Sequence, residues 1–122
     1  MSHIVKIQTQ VKDAEAVRAA CRRLGLEEPT QGKFRVFSTE VTGLAVKLPG
    51  WTFPVVCQVD SGSLQYDNYG GAWGDQAELD KFLQAYATEK ASIEARKKGY
   101  SVSEQQLKDG SIKLSIHVGG VS

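Results

Sequence analysis

The chain opens on alternation. From His3 to Val11 the side chains of Val5, Ile7, Thr9 and Val11 share one parity, and Ile4, Lys6, Gln8 and Gln10 share the other, which predicts a half-buried strand. At Asp13 the period changes. Ala14, Val17, Ala20, Cys21 and Leu24 recur at helical spacing behind a residue suited to an N-cap, with Arg22 and Arg23 in the last turn and Gly25 as the stop. A loop from Glu27 to Gly32 then leads into four extended runs, Phe34 to Ser38, Val41 to Leu48, Phe53 to Val59 and Leu64 to Tyr66, read as an antiparallel meander.

Turn chemistry suggests the pairing. Pro49-Gly50 stands in the order of a type II turn and sets Leu48 opposite Phe53, Val46 opposite Val55 and Leu44 opposite Cys57. A two-residue turn at Ser61-Gly62 sets Val59 opposite Leu64 and Cys57 opposite Tyr66, so the apolar sets share one face. Asp75-Gln76-Ala77-Glu78 reads as a capping box for a long helix whose buried stripe is Leu79, Phe82, Leu83, Tyr86 and Ile93 and whose stop is Gly99. Its last turns, Lys90 to Lys98, are mostly polar, which predicts a half that projects over solvent or supports a partner. Asp109-Gly110 signals a type I′ hairpin between a polar run, Ser101 to Leu107, and the alternating Ile112, Leu114, Ile116 and Val118. The order β-α-β-meander-α-β-hairpin predicts an α+β fold: residues 1–122 form a single domain with one mostly antiparallel sheet and two helices on one face.

Composition agrees with a self-sufficient core. At 122 residues, 41% apolar and 24% charged, the chain needs neither disulfides nor a structural metal to fold. A formal charge of +1 provides no whole-molecule field toward nucleic acid or an anionic membrane, and both are disfavoured as partners. The basic pairs and triplets, Arg22-Arg23 and Arg96-Lys97-Lys98, sit where helix C-termini favour cations in any case. Cys21 and Cys57 stand apart without a CxxC partner, the N-terminus lacks a secretory apolar run, and no stretch approaches the roughly 20 residues of a membrane span. A cytoplasmic location is the expectation.

Cys57 invites comparison with a nucleophile activated by His117 or His3. Parity opposes it: Cys57 shares the inward side of Val55 and Val59, while His117 faces away from Ile116 and Val118. Without HExxH or clustered Cys/His spacing, no metal or cofactor is expected. Gly70-Gly71-Ala72-Trp73-Gly74 fits neither phosphate-binding glycine pattern, and Asp75 at the helix start would repel an anion. The terminal Gly119-Gly120 is followed by two residues and does not sit on a β-grasp order.

The unusual segment is 66–75. Trp51, Phe53, Tyr66, Tyr69 and Trp73 gather half of the ten aromatic residues into one stretch of chain. One reading makes Asp67, Asn68, Tyr69, Trp73 and Asp75 a binding surface, with Tyr69 exposed. The other has Tyr66, Phe53 and Trp73 seal a sheet-to-helix junction. The first reading gives a non-enzymatic protein-interaction or regulatory module whose partner is another protein. The alternative is a small-ligand or nucleotide-binding protein, enzymes included, with a pocket between this loop and the second helix and Asp67, Asn68 and Asp75 as polar contacts. An edge strand and a long helix also suit a homodimer.

Met1-Ser2-His3-Ile4-Val5, Asp67-Asn68-Tyr69-Gly70, Trp73-Gly74-Asp75 and the closing hairpin together resemble a domain family of unknown function. It includes a conserved open reading frame of plastids and cyanobacteria and small proteins of other bacteria, planctomycetes among them. The likeness spans nearly the whole chain. It implies a soluble, intracellular, single-domain protein and carries over no catalytic residue.

Overall fold

The computed structural model describes residues 4–118. His3 and the Gly119-Gly120 pair lie outside them. Seven strands and two α-helices follow one another as β1 (Val5–Gln8), α1 (Ala14–Arg23), β2 (Thr30–Val36), β3 (Thr39–Val46), β4 (Val55–Gln58), β5 (Ser63–Tyr66), α2 (Gln76–Lys97), β6 (Ser101–Gln106) and β7 (Ile112–His117). This is the α+β class that the pattern predicts. β1 to β5 form an antiparallel sheet in the order β1-β5-β4-β3-β2.

Local chemistry explains the helix ends. The Asp13 carboxylate accepts the amides of Glu15 and Ala16, and Gly25 takes φ +70° just past the C-cap of α1. Asp75 accepts the Ala77 amide and caps α2, which stops before Gly99 at φ +82°. Both helices cover one face of the sheet. Ala16, Val17, Ala20 and Cys21 of α1 and Leu79, Phe82, Ala85 and Tyr86 of α2 close over Leu44, Val46, Val55, Cys57, Leu64 and Tyr66. The Tyr86 hydroxyl accepts the amides of Lys12 and Asp13, both at 3.1 Å, and donates to the Gln10 carbonyl, tying the β1–α1 connection to α2.

The outer face of the sheet carries a second apolar cluster that alternation alone did not reveal: Val36, Val41 and Val56, flanked by Ile4 and Phe34. β3 pairs with β4 only over Leu44–Val46. Beyond Gly43 the β2–β3 hairpin parts from β4 and folds back across the outer face. A Cβ at Gly43 would lie 2.8 Å from the Cys57 carbonyl oxygen and the Val56 Cγ1, so the bend needs glycine there.

Five expectations need correction. The closing hairpin is not part of the main sheet: β6 and β7 form their own two-stranded ribbon, packed on α2. The polar C-terminal half of α2 is therefore not free; Thr88, Ser92 and Ala95 are buried where it carries the ribbon. The β4–β5 turn spans residues 59–62, with the Gly62 amide bonded to the Gln58 carbonyl, so Cys57 faces Leu64 rather than Tyr66. That two-residue slip preserves every side chain's face, because the strand period is two. At the ribbon tip only Gly110 has positive φ, and its amide bonds the Leu107 carbonyl, giving a three-residue loop in place of a type I′ turn. Thr30 to Gly32, read as loop, begin β2, where Thr30 pairs with Ala45. The Pro49-Gly50 turn and the Leu44–Cys57 register are as predicted.

Candidate functional site

Residues 66–75 connect β5 to α2 and place their side chains on two levels. Asp67 and Asn68 are buried. The Asp67 carboxylate accepts the Tyr69 amide, an Asx turn that starts the loop. The Asn68 carbonyl accepts the amides of Gly71 and Trp73, and its side-chain amide donates to the Gly74 carbonyl. These two polar residues hold the loop from beneath, so the ligand contacts expected of them are directed inward. Asp75 is exposed; its carboxylate is committed to the helix cap, and its carbonyl accepts the Trp51 indole N–H at 3.0 Å.

Above this base the rings stack. Tyr69 lies on Trp73 with centroids 4.7 Å apart and planes 22° apart. Phe37, from the folded-back hairpin tip, lies at 5.2 Å from the same indole, and Phe53 meets it edge-on at 5.7 Å. Phe37 and Tyr69 both have positive φ, 56° and 48°, a backbone state that aromatic residues seldom adopt and that must be compensated by their surroundings. Tyr69 is 47% exposed, the side chain whose exposure the parity predicted. Trp73 and Phe37 are half-buried. Gly74 is required beneath: a Cβ there would fall 2.4 Å from the Trp51 ring, which also packs edge-on against Tyr66.

Of the rings expected to seal the junction, Tyr66 is buried and Phe53 and Trp73 pack on each other half-buried, with Trp51 joining them against Tyr66, while Tyr69 is the exposed ring of the segment. Phe37 was missed. Its ring joins the stack only because its hairpin bends, and the one sequence signal was the glycine pair Gly32 and Gly43, which sit opposite each other.

The cysteines are placed as parity predicts. Both are buried, and burial pushes the Cys57 thiol up to about 12, with the neighbouring Cys21 adding to it, and the Cys21 thiol up to about 11. His117 is exposed on the ribbon, with Nε2 3.4 Å from the Ser103 hydroxyl. Among the described residues no three His, Cys, Asp or Glu side chains converge as a metal-binding set. No described helix is long and apolar enough to cross a membrane. Of the basic residues, Arg23 is engaged by Glu89 at 2.7 Å and Glu104 at 2.6 Å, clamping the ribbon to both helices. A cleft of about 680 Å³ lies away from the loop, between residues 9–12 and the middle of α2.

No protein-family model, curated protein or solved structure matches the chain.

Proposed function

We propose that this protein is a non-enzymatic interaction or regulatory module that presents the loop 66–75 to another protein, with Tyr69 and Trp73 as its contact rings. The observation that carries the reading is the exposed Tyr69 ring, held in an αL backbone state by Asp67 beneath it and by Trp73 behind it. A rigid aromatic surface loses little conformational entropy on binding, which is why such rings anchor protein interfaces. The inaccessible thiols support a role without covalent turnover. The family resemblance carried by Asp67 to Gly70 and Trp73 to Asp75 falls on the same segment, and a cytoplasmic setting belongs to this proposal.

The test is affinity capture from cell extract with the wild type and with Tyr69→Asn, a substitution that keeps an αL-tolerant residue while removing the ring. Partners retained by the wild type and lost by the folded variant support the proposal. An identical partner set for both overturns it.

A further inference from the structure

Along α2, flanking its core-facing stripe, Leu83, Ala87 and Ala91 form an apolar floor, and Val11 and the backbone of residues 9–12 form the opposite wall of the ≈ 680 Å³ cleft. Ala87 is exposed, and Leu83 and Ala91 are half-buried. From Leu83 to Glu94 the trough runs three turns, roughly 16 Å at 1.5 Å per residue, a shape suited to a helix.

The helix that fits it is α2 itself. At helical spacing the trough face carries Asp80 at its N-terminal end and Lys98, flanked by Lys97, at its C-terminal end, while Glu78 and Arg96 turn to the opposite side of the helix. Glu94 and Lys90, which also line the trough, are already paired with each other at 3.4 Å. Two copies laid antiparallel bring each acidic end to the other's basic end and oppose their helix dipoles. A two-fold axis between Ala87 and Ala91 then matches alanine to alanine, where small side chains allow close helix approach, and sets Asp80 near Lys98 of the second copy.

We infer that a second copy of this chain occupies the trough, forming a two-fold homodimer through antiparallel packing of α2 on α2. This surface is separate from the Tyr69 loop, so the dimer would present two such loops.

Sedimentation and light scattering of the full chain test it. The wild type is expected at twice 13.3 kDa, with a dissociation constant that rises with salt. Ala91→Arg should be monomeric with an unchanged circular dichroism spectrum. Asp80→Lys and Lys98→Glu should each weaken the dimer about tenfold, and the two together should restore it; this rescue does not depend on how well Ala91→Arg folds. A wild type that stays monomeric at every concentration, a dimer indifferent to Ala91→Arg, charge variants that fail to rescue each other, or a small apolar ligand saturating the trough of a monomer would each overturn the inference.

Discussion

The ring of Phe37 rests against Trp73 with centroids 5.2 Å apart, although a flat β2–β3 hairpin would hold the two roughly 30 Å apart at about 3.3 Å per residue. The contact exists because the hairpin bends at Gly43 and lies across the outer face of the sheet. The bend buries Val36 and Val41 on Val56 and completes the ring stack behind Tyr69.

Gly43→Ala is therefore expected to destabilise the protein by about 1–3 kcal/mol, the range for forcing a methyl into a packed site. The added Cβ meets a backbone oxygen, which cannot swing aside as a flexible side chain would. Urea unfolding measures the loss, and Trp fluorescence should report a loosened environment around Trp73. A variant as stable as the wild type would mean that the hairpin does not need this close approach.

The ribbon should loosen in acid. Hydrogen bonding from Arg23 holds the Glu104 carboxyl below its ordinary value of 4.5, against a smaller opposing effect of burial. A carboxyl depressed in the folded state contributes stability above its unfolded value, and the contribution drains away as pH falls below that value through the depressed one. The pair is partly solvated, with side-chain exposures of 26% and 32%, so Glu104→Gln should cost only about 0.5–1 kcal/mol near neutrality. The wild-type and variant stabilities should converge at acid pH. Denaturation midpoints across the range, with amide exchange in β6, check this; a constant gap at all pH values would assign the effect to something other than the ion pair.

The two thiols should be silent in the folded protein. With Cys21 near 11 and Cys57 near 12 and both buried, neither supplies an accessible thiolate to Ellman's reagent at about pH 8. Two equivalents should react once urea unfolds the chain. Rapid modification of one thiol in the native state would place it in an open crevice and reopen the nucleophile reading.

Much of the architecture was legible in residue order because local signals and tertiary structure agree. Asp13 and Asp75 start the helices, Gly25 and Gly99 end them, and Pro49-Gly50 fixes the Leu44–Cys57 register. Alternation placed Cys57 inward even though the following turn was two residues wider than its glycine suggested, since a slip of two changes partners and not faces. What alternation cannot carry is curvature or which sheet a strand joins. The bend at Gly43 and the separation of the β6–β7 ribbon are decided by long-range packing, on Val56 in one case and on α2 with Arg23 in the other. The loop shows the same division. Tyr69 was readable as exposed, but Asp67 and Asn68 look like surface ligands in sequence and are the buried scaffold in the fold.

The most direct measurement of the functional claim is site-specific photo-crosslinking with a benzophenone side chain at position 69, and at position 113 on the exposed ribbon as a control. The account predicts a discrete protein adduct from position 69 that excess unlabelled wild type suppresses and excess Tyr69→Asn does not, with no matching adduct from position 113. Adducts of equal yield from both positions, or competition by Tyr69→Asn as strong as by the wild type, would contradict it.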